Sequence, residues 1–246
     1  MDCTSLTGTA ICSPNVIDMS QTYYRCRNLT EATCGPNVIN MSNTYSYCSN
    51  LTTPVCGNNV INMNGTYSSC HGLTKAVCGP NVTDMSNAYS YCYNLTTPVC
   101  GNNVINMDHT YFYCRNLTKA VCGPNVTSMN RTYAQCSNIT IPIFGDNVTN
   151  ACYTYSYCNN ITIPLCPDHI TNMYGTYAYC SNIVTPIFGN NVTWAEYTYE
   201  GCPNITTPLC PDHITHMHGT YKSCPNIKVP IFGNNVINVF ETYANC

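Results

Sequence analysis

The sequence predicts a solenoid of stacked coils, mainly β or mixed α/β, with one short strand per coil pairing into a single parallel sheet. Three observations predict it. Cys recurs at 26, 48, 70, 92, 114, 136, 158, 180, 202, 224 and 246, a 22-residue spacing held without slip, and a fixed period of that length is the signature of stacked repeats. Each unit also holds one β-branched run stopped by Gly or Pro, such as "LTTPVC" or "ITIPIF". Tyr fills one further position in all eleven units, from Tyr23 to Tyr243.

Counting each unit from its Cys as position 1, "CSNLTTPVCGNNVINMNGTYSS" (48–69) is one coil. Position 4 is Leu or Ile, position 9 Cys or Phe, position 10 Gly or Pro, position 13 Val or Ile, position 16 usually Met, position 19 Thr except at Ala88, and position 20 Tyr. The run from 4 to 9 reads as the strand. At the usual strand spacing of about 4.8 Å, eleven coils make a rod roughly 50 Å long. Residues 1–246 then form one domain, with 1–25 as an irregular first coil, because each coil buries its apolar face only against its neighbours. Alternation of "NLTKAVCGPNV" with "NLTTPVCGNNV" suggests growth by duplication of a two-coil, 44-residue unit.

Comparing the repeats with one another orients the side chains. All eight units with Cys at position 9 have Met at position 16, whereas Phe144, Phe188 and Phe232 go with Ala151, Ala195 and Val239. Losing a buried Met costs about 2–5 kcal/mol and overfilling a packed site about 1–3 kcal/mol. Positions 9 and 16 are therefore expected to touch across a thin core, each ring filling the space its Met gave up. Strand alternation then turns position 7 inward and positions 6 and 8 outward.

Composition narrows the function classes. Net charge is −3 with 8% charged residues, which gives no reason to expect a nucleic-acid partner. No apolar run of about 18 residues predicts membrane insertion, and "MDCTSLTGTAICSPNV" lacks the features of a signal peptide. The 21 Cys fall into unequal rows, eleven at position 1 and eight at position 9 with Cys3 and Cys152 outside both, so one-to-one bridging within coils is impossible throughout. They are read as buried free thiols acting as small core residues, and compartment stays open. Asn at positions 3 and 12 is expected to bond turn backbone along the stack, and the sequons at Asn28, Asn50, Asn94, Asn116, Asn138, Asn160 and Asn204 are read as part of that pattern. "PDHITHMHG" offers His213, His216 and His218 beside Asp212 as weak metal candidates, without the spacing of a known template. No cofactor is expected. No nucleophile–base set or phosphate loop rises above the repeat, so an enzyme is not expected.

Written as C-x-x-L-x-x-x-x-C-G-x-N-V-x-x-M-x-x-T-Y-x-x-C, the unit resembles the BspA-like leucine-rich repeat across essentially the whole chain. Leu51, Cys56, Gly57, Val60 and Met63 fall on that family's apolar and turn positions, and Thr66-Tyr67 replace its Ala-Phe pair, with one residue fewer after Met63. The resemblance implies a right-handed leucine-rich-repeat coil stack and a cell-surface or extracellular adhesin.

The outward row at position 8, with its neighbours at position 6, is the candidate binding face: Val55, Val77, Val99, Val121, Ile141, Ile143, Ile163, Leu165, Ile187, Leu209, Val229 and Ile231. An apolar patch of this kind marks a contact surface, either for a protein or glycan ligand or for copies of the chain itself. Open solenoid ends would favour head-to-tail filaments. Ice binding by Thr rows is disfavoured, because position 19 alternates with buried Tyr.

Overall fold

The computed structural model describes residues 5–246, so Cys3 lies outside the described residues. The coils stack with the 22-residue register read from the sequence, bridge residues pairing Asp18 with Asn40, Asn40 with Asn62, and Asn62 with Asp84. The predicted wall and the observed one differ. Strand pairing at positions 4–9 is confined to β1 (Gly8–Thr9) with β2 (Leu29–Glu31) and to isolated bridges Glu31–Thr53 and Lys75–Thr97. No helix occurs among the described residues, and the expected sheet is short there.

Proline explains the correction. Position 7 is Pro in seven coils, Pro54, Pro98, Pro142, Pro164, Pro186, Pro208 and Pro230, and a proline has no N–H to give to a neighbouring coil. At two of the three Ala in that position the bond forms, Ala32 N–H to Thr53 O (3.2 Å) and Ala76 N–H to Thr97 O (2.9 Å), while Ala120, beside the Phe144 coil, makes none. Position 8 is also withdrawn from pairing. Its carbonyl accepts from the hydroxyl of the position-20 Tyr of the same coil, and its N–H donates to that hydroxyl, as at Val99 and Tyr111 (2.5 and 2.9 Å).

The return segment carries the coil-to-coil bonds instead. Met63 N–H donates to Asp84 O, Gly65 to Ser86, Tyr67 to Ala88 and Ser69 to Ser90, at 2.8–2.9 Å. Every second N–H can point along the stack because positions 18 and 22 adopt positive φ, for example Asn43 (53°) and Tyr47 (64°). Each is the third residue of a closed turn, Thr44 N–H to Met41 O and Cys48 N–H to Tyr45 O, both 3.0 Å, where a type II turn requires φ above zero. A non-glycine residue there costs on the order of 1–2 kcal/mol, and the coil-to-coil bonds offset it. Gly175 and Gly219 have a second reason: a Cβ on either would lie 2.4–2.5 Å from the ring of Tyr153 or Tyr197 one coil earlier.

Inside, the position-20 rings from Tyr23 to Tyr243 stack face to face with centroids 5.3–6.1 Å apart. Each such pair contributes about 0.5–1.5 kcal/mol beyond its burial. The Thr of position 19 ties adjoining coils together: Thr66 Oγ1 donates to Met41 O and Met63 O at 2.8 and 2.9 Å. The position-1 thiols do likewise, Cys92 Sγ lying 3.1 Å from Tyr67 O and Cys114 Sγ 3.0 Å from Tyr89 O. A thiol is small enough for this crowded corner and still supplies a donor. Burial pushes the Cys92 thiol up to about 12, so it stays protonated and able to donate.

The contact expected between positions 9 and 16 is present. Cys34 and Met41 sulfurs lie 3.7 Å apart, and Cys56–Met63, Cys100–Met107 and Cys122–Met129 3.5 Å. In the exceptional coils the Phe144 ring meets Tyr155 edge-on at 5.4 Å, as Phe188 meets Tyr199 at 5.5 Å, while Ala151 and Ala195 are fully buried. The first of these coils also marks a seam. Bridges run unbroken from Asp18 to Ser128 and again from Asn150 to Asn238, but Ser128 and Asn150 do not pair.

Three stability predictions follow from these contacts. Phe144→Cys alone should lower stability by about 2–4 kcal/mol, read as a fall in Tm of several degrees, and adding Ala151→Met should recover most of it; no recovery would argue against the shared space. Ala88→Thr should add about 1 kcal/mol by restoring the missing hydroxyl to its row, measured by urea denaturation. Because the folded thiol at Cys92 titrates near 12 and an unfolded one near 8.5, its contribution is complete below about pH 8.5 and is lost as pH rises toward 12. Circular dichroism under reducing conditions should show alkaline unfolding in that window.

Candidate functional site

The expected binding face is built on the clamped segment before position 9. Each position-8 backbone is held from within by a Tyr hydroxyl, from Thr33 on Tyr45 (2.6 Å) to Ile231 on Tyr243 (2.7 Å). The outward side chains therefore stand on a fixed scaffold although no continuous sheet supports them. They divide into two halves. Val55, Val77, Val99 and Val121 are half-buried and pack against the core, beside a position-6 row of Glu31, Thr53, Lys75, Thr97 and Lys119. Beyond the seam the position-6 row loses its charges and, except at Thr185 and Thr207, turns apolar and prominent: Ile141 is 70% exposed, Ile163 72% and Val229 67%. Ile143, Leu165, Leu209 and Ile231 are exposed beside them, and Ile187 is half-buried.

The metal candidates are drawn apart by other bonds. His213 Nε2 pairs with Gly189 O at 3.0 Å, His216 stacks on Trp194 with centroids 4.0 Å apart, and His218 Nε2 pairs with the Tyr197 hydroxyl at 2.8 Å. Among the described residues no group of three or more His, Cys, Asp or Glu could hold a metal ion. No helix among them is long and apolar enough to cross a membrane.

Two features escaped the sequence reading. One is a groove of about 1150 Å³ lined by positions 12 and 14 from Asn15 to Asn147. Its Asn side chains donate along the stack as expected, Asn37 Nδ2 to Pro14 O and Asn59 Nδ2 to Pro36 O at 2.9 and 2.8 Å, but the Ile or Thr two residues on was not weighed. Its signal was the period itself: Asn-x-Ile or Asn-x-Thr in one register. The other is a cavity of about 350 Å³ beside the seam, lined by His109, Asn130, Arg131, Cys152, Tyr153 and Tyr174. Burial lowers the His109 pKa, with the nearby Arg131 adding to the effect, and the Arg131 guanidinium lies 4.8 Å from the centre of the Tyr153 ring.

The chain shares its fold with solved leucine-rich repeat structures. It is similar to a leucine-rich repeat protein from Bacteroides ovatus, with a TM-score of 0.57 and 12% identity over 96% of this chain and 75% of that one. It is also similar to a leucine rich cell surface protein from Faecalibacterium prausnitzii, with a TM-score of 0.52 and 15% identity over 91% of this chain and 78% of that one. No curated protein sequence matches it. The sequence does match the family described as BspA type leucine rich repeat region, in six copies over residues 42–162 and 130–246. With its register, its buried Leu or Ile row and its coil stack, this chain belongs to the BspA-type leucine-rich repeat family.

Proposed function

We propose that the chain is a non-enzymatic, surface-located recognition module that binds a partner protein through the apolar half of its position-6 and position-8 face. One observation carries this reading: Ile141 and Ile163, adjacent in the stack, are about seven-tenths exposed, two residues before Ile143 and Leu165, whose backbone Tyr155 and Tyr177 fix from inside. Large apolar side chains held rigidly in water lose little conformational entropy on binding and gain their burial. The repeat family supports an interaction role, and the likeness to a cell surface protein supports the location.

The same face supports a second reading, in which two copies pack apolar half to apolar half or assemble further into filaments. Its position-6 and position-8 side chains from Ile141 onward include no charged residue to oppose such packing.

Substituting Ile141→Glu together with Ile163→Glu should leave Tm unchanged, because both side chains are exposed, and should abolish recognition. The measurement is retention of cell-surface proteins on the immobilised wild-type chain against the double variant, with size exclusion and electron microscopy alongside. Monodisperse monomers that lose their partner on substitution support the first reading. Dimers or fibres of constant width that dissociate on substitution support the second. Equal retention and an unaltered assembly state would sink both.

A further inference from the structure

The groove of positions 12 and 14 crosses seven coils, at a rise of about 4.8 Å each, on residues separate from the apolar face. We propose that it binds a neutral, linear, hydroxyl-rich glycan laid along the stack, about one sugar unit to a coil.

Charge is the first ground. The lining consists of seven Asn, four Ile and two Thr, so it holds no cation to pair with phosphate or uronate and no anion to attract a basic peptide. A nucleic acid or acidic polysaccharide bound there would leave its charges unpaired. A neutral chain meets no such cost.

Hydrogen bonding is the second. From Asn37 to Asn147 each position-12 amide Nδ2 donates to a position-11 carbonyl of the preceding coil at 2.8–2.9 Å. That bond holds the amide in place and leaves its Oδ1 to accept, and a hydroxyl is the donor that suits a row of fixed acceptors. The coil rise is close to the length of one pyranose unit in an extended chain, so the acceptors recur in step with the sugars. Between them Ile17, Ile39, Ile61 and Ile105, 43–58% exposed, offer an apolar strip to the C–H faces of the rings.

A peptide fits less well. Its side chains recur on one face at about 6.8 Å, out of step with the coils, and peptides docked in extended form draw affinity from an open sheet edge. Here the adjoining backbone is already paired coil to coil, Ile39 N–H and Asn40 N–H both donating to Ile17 O at 2.8 and 3.3 Å.

Calorimetric titration of the full chain tests this, with uncharged linear hexasaccharides of glucose, mannose and N-acetylglucosamine, a galacturonic acid hexamer and an uncharged decapeptide. Saturable binding of at least one neutral hexasaccharide is expected. It should weaken about tenfold or more in Ile61→Glu/Ile105→Glu, which sets unpaired charge in the groove, and severalfold in Ile61→Thr/Ile105→Thr, a residue the chain itself carries there at Thr83 and Thr127. Ile141→Glu/Ile163→Glu should leave sugar binding untouched, which separates this groove from the protein-binding face. The proposal is overturned if no neutral hexasaccharide binds at millimolar concentration, if the uronate hexamer or the peptide binds as well, or if both groove variants keep wild-type affinity.

Discussion

The hydrogen bond between the position-20 Tyr hydroxyl and the backbone of position 8 governs the rest of this solenoid. From Tyr23 to Tyr243 the hydroxyl donates to the position-8 carbonyl of its own coil at 2.5–2.7 Å. It spans the core from one wall to the other and so sets the core's thickness at one phenol. It also relieves the front wall of the need to pair with its neighbours. A buried peptide group left unpaired costs about 1–3 kcal/mol; here a side chain meets both its donor and its acceptor. Proline is therefore tolerated at position 7, in a place where an ordinary sheet would exclude it. The wall with the least inter-coil bonding is the one that presents Ile141, Ile163 and Val229.

Stacking cohesion accordingly rests on the other wall and on small buried donors. The turns with positive φ at positions 18 and 22 send alternate N–H groups along the stack, while Thr hydroxyls and Cys thiols reach carbonyls of the coil before. This explains why Thr and Cys recur where an apolar residue of like size would fill the same space without a donor. Each row repeats one modest bond coil after coil, and in a linear array such nearest-neighbour terms add to give the stability.

Much of this was legible because the repeats serve as controls for one another. The exchange of Cys34 and Met41 for Phe144 and Ala151 at matching positions located a contact that the structure shows as sulfur against sulfur in the Cys coils. Burial of Leu51, Val60, Met63 and Tyr67 likewise follows from rows that stay apolar or aromatic in every coil. The position of the bonded wall was not legible. Strand alternation places Pro54 and its equivalents inward but says nothing of the bond their missing N–H denies to the next coil, and positive φ at Tyr47 or Arg131 leaves no mark in residue type, since neither favours that conformation. The groove was hidden for another reason. Asn59 and Ile61 belong to rows that look structural when taken singly, and only the fold brings seven such pairs into one surface.

The unpaired step between Ser128 and Asn150 bears on how the molecule comes apart. The N–H groups of Met129, Thr149 and Asn150 lack the coil-to-coil bonds their equivalents make elsewhere, although Tyr133 and Gln135 keep theirs to Thr154 and Ser156. In a one-dimensional array the weakest coupling between neighbours is where a growing or melting front stops. Loosening that starts at either end is therefore expected to halt at the coil that carries Phe144, where the amide-lined groove ends at Asn147 and the protruding isoleucines begin at Ile141.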